Sequence, residues 1–265
     1  MSAAGERIDG PPILLTNDDG ISSFFLRALA ESLSARWPVC VVAPADEQSW
    51  SGRSVSRSGD CAVRSVEGWP GPAWSVAGTP TDCANLGLYQ LLGERPRAVV
   101  SGMNLGFNVT LPLILSSGTV AGAIEGALAG LPAVATSLAL PQEEFFHAKR
   151  HAGRRGEAGD ARTRAAAERV RVELESILAA PASERPLVHN INLPDGADLQ
   201  TEKRSTRPAL LKTGSLFSLE GGSARFQFPV DFLRDAPAGS DLEAVMQGAV
   251  SHSVLALDQL GVLPS

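Results

Sequence analysis

Little in this chain would tie it to an oxidising compartment, a bilayer or a nucleic-acid duplex. Its three cysteines, Cys40, Cys61 and Cys83, cannot build a multi-bridge disulfide framework. None stands in a CxxC pair, which also argues against a thiolate zinc site. No apolar run approaches the roughly 20 residues that cross a bilayer. The N-terminus lacks a basic stretch followed by an apolar segment and a cleavage site. These absences predict a cytoplasmic protein with no membrane partner. Positive charge is in deficit, with 23 Lys and Arg against 29 Asp and Glu and a net charge of -6. Duplex binding through phosphate neutralisation is therefore not expected. The one basic cluster, Lys149 to Arg164, is diluted by Glu157 and Asp160 and reads as a solvated surface segment. The histidines are scattered: His147, His151, His189 and His252. His147 and His151 are four apart, but the glutamate of HExxH is missing, so no histidine is expected in the site. GxSxG and GxxxxGK[ST] are absent too, which removes the common serine-hydrolase and P-loop readings.

What the chain does have is an ordinary globular composition, 44% hydrophobic and 20% charged over 265 residues. That length suits one α/β domain with an elaboration. Residues 1–11 are polar and Gly/Pro-rich and predict a flexible leader. Ile13 to Thr16 read as a buried parallel strand, stopped by Asn17-Asp18-Asp19-Gly20. Leu26, Leu29 and Leu33 recur at helical spacing, and Val39 to Ala43 form the next strand, completing a right-handed βαβ unit. Residues 46–81, rich in Ser, Gly and Pro, predict loops with short strands. Further strands are expected at 98–100, 132–136 and 187–193, and helices at 119–129, 166–179 and 242–247. Gly122, Gly126 and Gly130, every fourth residue, predict close packing along one face of the 119–129 helix. The fold class that follows is a three-layer, Rossmann-like α/β core over 12–200 with a mostly parallel sheet. A mobile charged insertion is expected at 141–165. A β-rich C-terminal extension and oligomerisation arm is expected over 201–265, with Gly221-Gly222 as a turn.

Four stretches carry candidate chemistry. Asp18 and Asp19 end the first strand, at the edge where α/β sheets bind ligands. Adjacent carboxylates repel and normally need a cation or proton beside them, and hard oxygen ligands favour Mg²⁺, Mn²⁺ or Ca²⁺. Asn, Asp and Gly also make ordinary turns, so the pair alone is a weak signal. Ser49 follows the second strand and lies at the same rim, where a hydroxyl can meet a metal or a phosphate. Asn104 follows the strand at 98–100, and its amide oxygen is again a hard ligand. Ser116-Ser117-Gly118-Thr119 precedes a helix, and its hydroxyls and free N–H groups suit a phosphate. Plain N-capping explains the same letters equally well.

The order of these motifs is more specific than any one of them. Asn17-Asp18-Asp19-Gly20, the Ala43-Pro44 to Ser54 run and Gly78-Thr79-Pro80-Thr81-Asp82-Cys83 are followed by Val100-Ser101-Gly102-Met103-Asn104 with Asn108. Ser117-Gly118-Thr119-Val120-Ala121-Gly122-Ala123 with Glu125-Gly126 comes next, then a weaker match at Asn190 to Pro194. Together they resemble the stationary-phase survival protein E (SurE) family, closely over about residues 12–140. The resemblance implies a metal-dependent 5′/3′-nucleotidase and acid phosphatase. It implies that Asp18, Asp19, Ser49 and Asn104 hold one divalent cation, Mg²⁺ or Mn²⁺, with Ca²⁺ an alternative occupant in a crystal. It further implies that Asn17, Asn108, Ser117, Gly118 and Thr119 line the substrate pocket, and that the chain forms a homodimer or homotetramer. Ser116 stands where some members carry His. The family's Gly-Tyr-Val-Ser-Ile-Thr-Pro-Leu pattern is altered at Gly248 to Leu255, and 141–235 is hardly recognisable. Those departures bear on substrate and assembly.

The expected reaction is hydrolysis of a small phosphate monoester, a nucleoside 5′- or 3′-monophosphate, by a metal-activated water, with Asp18 or Asp19 taking its proton. A specialised phosphorylated metabolite is the alternative substrate on the same scaffold. A covalent aspartyl-phosphate enzyme requires Asp-x-Asp spacing, which is lacking. A receiver-like signalling module requires an acceptor aspartate where Asn104 stands.

Overall fold

The computed structural model describes residues 8–228 and 236–260, so residues 1–7 of the expected leader lie outside the described residues. Strand β1 is Ile13–Thr16, and helix α1 (Phe24–Ser34) leads to β2 (Val39–Pro44). A long loop then carries the short strands β3 (Val63–Ser65) and β4 (Ala73–Val76), followed by α2 (Pro80–Leu86), which continues into one π-helical turn. Next come β5 (Ala98–Leu105), α3 (Leu111–Ser116), α4 (Gly118–Leu128) and β6 (Ala133–Leu138). The chain proceeds through α5 (Gln142–Arg150), α6 (Gly156–Ala179), β7 (Leu187–Leu193), β8 (Lys203–Thr206), the hairpin β9 (Phe217–Glu220) and β10 (Ser223–Phe226), α7 (Asp241–Met246) and β11 (Val250–Ala256).

Nine strands form one sheet in the order β3-β4-β2-β1-β5-β6-β7-β11-β8. From β4 to β7 every pairing is parallel, and β3 and β11 run antiparallel to their inner neighbours. β1 is fully buried, and its alternation serves both faces. Ile13 and Leu15 pack with Phe25, Leu29 and Leu33 of α1 and Val170 and Leu174 of α6, whereas Leu14 packs with Cys83 beneath α2. Burying each such side chain contributes on the order of 1.5–3 kcal/mol, and these layers hold the sheet between helices. The small-residue stripe of α4 does what its spacing predicts at Gly122 and Gly126, whereas Gly130 lies past the helix end at φ +69°, where an added Cβ would meet only the Arg95 side chain at 3.5 Å. A Cβ at Gly122 would lie 2.7 Å from Thr16 Cγ2, and one at Gly126 would lie 2.5 Å from Val99 Cβ. The helix can therefore lie directly on β1 and β5, which brings its N-terminus to the end of β1.

Several expectations are corrected. Residues 141–165, read from their charge as a mobile insertion, are α5 and the first half of α6. Several of their charges are paired: the Arg155 side chain, 1% exposed, bonds Glu144 and, at 2.6 Å, Asp195, while Arg162 lies 3.0 Å from Glu144. The 166–179 helix consequently begins ten residues earlier, at Gly156. The core does not end at residue 200, because β8 and β11 both join the main sheet. Among the described residues only β9 and β10 form a separate hairpin, turning at Gly221-Gly222 with φ of +56° and +82°, a two-residue turn that glycine adopts without steric cost. β5 does not stop at Val100 but runs through an irregularity between Ser101 and Asn104, so Asn104 lies within a strand.

Candidate functional site

β1 pairs with β2 on one side and β5 on the other, so successive connections leave β1 in opposite directions. This switch point opens a crevice beyond the carboxyl ends of β1 and β5, where open α/β sheets bind ligands. Asn17 is completely buried, and its amide donates to the Gly20 carbonyl at 3.0 Å, locking the turn that presents both aspartates. Asp18 faces α4. Its carboxylate accepts the Thr119 hydroxyl at 2.6 Å, and the Thr119 backbone N–H also favours its charged form. Asp19 faces β5 and accepts the N–H of Leu105 at 2.8 Å, which belongs to the peptide joining Asn104 to Leu105.

These bonds do not neutralise the pair. Burial raises the Asp18 pKa, with repulsion from Glu47 adding to the effect. Burial raises Asp19 well above the usual carboxylate range, and the charge of Asp18 pushes it further. A divalent cation would reverse both shifts, since it is commonly the largest local charge in such a site. Two unmatched oxygens stand nearby: Asn17 Oδ1 and Ser51 Oγ are buried with no hydrogen-bond partner among the described residues. A donor set of carboxylate, amide and hydroxyl oxygens fits Mg²⁺ or Mn²⁺. No group of three or more His, Cys, Asp or Glu side chains among the described residues is arranged to hold a metal ion, so a cation here would draw on neutral oxygens besides the two aspartates.

The remaining sequence candidates are distributed as follows. Gln48 N–H donates to the Asp18 carbonyl at 2.8 Å, which holds the Ser49 loop at the rim. The Ser49 hydroxyl itself is exposed and donates to Glu47, which also accepts the ammonium of Lys149 on α5. Ser49 is thus engaged with Glu47, and a role as a metal ligand would require it to give up that bond. Asn104 is half-buried beside Gly106, next to the peptide that Asp19 holds. Asn108 is committed elsewhere: its amide donates to Ser137 at 2.9 Å, and its backbone bonds Asn190 and Asn192. Ser117 caps α4 by accepting the Val120 N–H at 3.0 Å. At Gly118 a Cβ would lie 2.9 Å from Asp18 Cβ and 3.0 Å from Ser51 Oγ, so the helix end abuts the first aspartate without clearance. Both donors of Thr119 act on Asp18. His147 of α5 and His151, just past its end, stack on each other at 4.3 Å, and His189 meets His252 on β7 and β11.

Two residues escaped the sequence reading. Glu47 lies in the same run as Ser49, and its carboxyl at that rim was a usable signal. Burial pushes its pKa up, but hydrogen bonds from Lys149 and Ser49 outweigh that and hold it low. Lys149 carried no signal, because only the packing of α5 brings it across from 102 positions away.

A profile of the family described as survival protein SurE matches residues 13–213. The 5′-nucleotidase SurE of Methanosarcina barkeri is 35% identical over 258 residues, 95% of this chain and 94% of that one. That of Methanoregula boonei is 37% identical over 250 residues, 94% and 93% of the two chains. The crystal structure of the SurE protein from Aquifex aeolicus is similar with a TM-score of 0.75 at 27% identity, covering 94% of each chain.

Proposed function

The chain belongs to the survival protein SurE family, and from that premise we propose that it hydrolyses nucleoside 5′- and 3′-monophosphates with the help of one divalent cation. It is a phosphoric monoester hydrolase, like the 5′-nucleotidases it resembles. The observation that carries the finer reading is the pair of unneutralised carboxylates at the switch point, Asp18 buried and Asp19 half-buried, set against the N-terminus of α4.

In this reading Asp18 and Asp19 would hold the cation, with Asn104 and Ser49, once released from Glu47, as neutral ligands. Bound there, Mg²⁺ or Mn²⁺ would polarise the phosphoryl group and lower the pKa of a bound water. Thr119 orients Asp18, and the Asn104–Leu105 peptide orients Asp19. One aspartate takes the proton of the attacking water. The first turn of α4, at Ser117 and Gly118, offers a positive helix end to the phosphoryl oxygens. Lys149 holds Glu47 in an ion pair and so limits the repulsion Glu47 exerts on the aspartates. The same reading takes the enzyme to be cytoplasmic and homo-oligomeric, a view supported by its free cysteines and by exposed Leu115 and Leu210. No helix among the described residues is long and apolar enough to cross a membrane.

The test is phosphate release from nucleoside 5′- and 3′-monophosphates, stripped with EDTA and restored with Mg²⁺ or Mn²⁺. Asp19→Asn is expected to lose most of the activity, and EDTA to abolish it reversibly. An Asp19→Asn enzyme that works at the wild-type rate, or indifference to EDTA, refutes the reading.

A further inference from the structure

An aromatic cluster stands at the lip of the crevice, and the phosphate chemistry makes no use of it. Trp50 directly follows Ser49, in the loop that Gln48 ties to the Asp18 carbonyl. Two Cα steps separate Trp50 from Gln48, about 7 Å at most. The Trp50 backbone therefore lies on the order of one nucleoside length from the Asp18 backbone. The loop is pinned on its far side too, where the Gly52 N–H bonds the Ser116 carbonyl at 3.0 Å. Trp50 takes φ +61°, a left-handed conformation that is costly for a bulky side chain and that recurs at ligand-binding positions.

The hairpin β9–β10 meets this indole. Phe226 lies 5.2 Å from the Trp50 ring in an edge-on contact, and Phe228 lies 5.9 Å away. Phe217 packs edge-on against Phe226 at 6.0 Å. Edge-on neighbours fix the plane of a ring without covering it flat. Trp50 remains 43% exposed, Phe226 46% and Phe217 57%, in a hairpin that is exposed almost throughout.

We propose that Trp50, backed by Phe226, is the platform on which the substrate's nucleobase stacks. The proposal rests on the nucleotidase reading, which holds the phosphate at the aspartates, beside the start of α4. A base one sugar removed from that phosphate reaches the lip, where an exposed, fixed π-face meets it. Every base offers a π-face, so the selectivity it provides is for nucleotides over base-free esters, rather than for one base over another.

The experiment compares kcat/KM for adenosine 5′-monophosphate and for ribose 5-phosphate in the wild type, Trp50→Ala and Trp50→Phe. The ratio of the two values is expected to fall about tenfold in Trp50→Ala and to be largely kept in Trp50→Phe. An unchanged ratio, including one in which both values fall together through loop damage, overturns the proposal. A second measurement needs no catalysis: adenosine should quench tryptophan fluorescence in the wild type and not in Trp50→Phe. If the wild type hydrolyses neither ester, the nucleotidase reading fails while this titration still reports on the platform. Equal quenching in both proteins overturns the platform, as does a drop in oligomer mass in Trp50→Ala, which would assign the patch to a second copy of the chain.

Discussion

Replacing Thr119 by valine removes one hydroxyl while keeping the shape of a completely buried side chain. That hydroxyl donates to Asp18 at 2.6 Å, a short hydrogen bond to a charged acceptor. Such bonds contribute about 1.5–3 kcal/mol, roughly 10- to 150-fold in an equilibrium at 1.4 kcal/mol per decade. Residues that orient a metal ligand typically change metal affinity by about 10- to 100-fold, so the two estimates agree. Thr119→Val is therefore expected to weaken Mn²⁺ binding by calorimetry on the order of tenfold or more, and to lower kcat/KM in parallel. Thr119→Ser keeps the donor and is expected to restore most of both. If the valine enzyme binds Mn²⁺ within twofold of wild type, Thr119 does not position Asp18, and its hydroxyl belongs to ordinary helix packing. If serine fails as badly as valine, the methyl group and not the hydroxyl is what matters.

The remaining predictions concern stability. His252 is depressed to about 4 by burial, with repulsion from His189 and Lys203 assisting and Glu173 opposing. Its folded pKa lies below its unfolded value of 6.5, so the neutral native state keeps its full stability above pH 6.5 and loses it as pH falls toward 4. The loss reaches about 3 kcal/mol, and His252→Asn should flatten the denaturation midpoint between pH 6.5 and 4.5. Equal slopes in both proteins would remove His252 as the cause. At Gly126 an added Cβ falls 2.5 Å from Val99 Cβ, and overpacking of that kind costs about 1–3 kcal/mol. Gly126→Ala should therefore lower Tm by several degrees, at roughly 2–4 °C per kcal/mol for a chain near this size; an unchanged Tm would mean that α4 can lift off β5 without cost.

Local pattern made the first half of the chain legible. Ile13 to Thr16 and Val39 to Ala43 are short apolar runs that only a doubly covered parallel strand can bury, and the structure puts them at the centre of the sheet. The turn at Gly221-Gly222 and the glycine stripe on α4 were equally readable, because one dictates backbone conformation and the other permits close approach. The reading failed where the decisive contacts are long-range. Charges at 141–165 suggested mobility because a sequence does not display that Glu144 of α5, Arg155 at the start of α6 and Asp195 in the loop after β7 meet and bury a guanidinium.

The same division runs through the site. The sequence by itself determined which oxygen-bearing residues end the parallel strands, because strand length and turn chemistry are local properties of a few neighbouring residues. Only the tertiary structure decided what each side chain does there. It turned Thr119 onto Asp18, engaged Ser49 with Glu47, brought Lys149 in from α5 and set Trp50 against a hairpin more than 160 residues away. Hydrogen bonds, ion pairs and ring contacts depend on distances of a few ångströms between remote segments, and only the packed sheet and its helices set those distances.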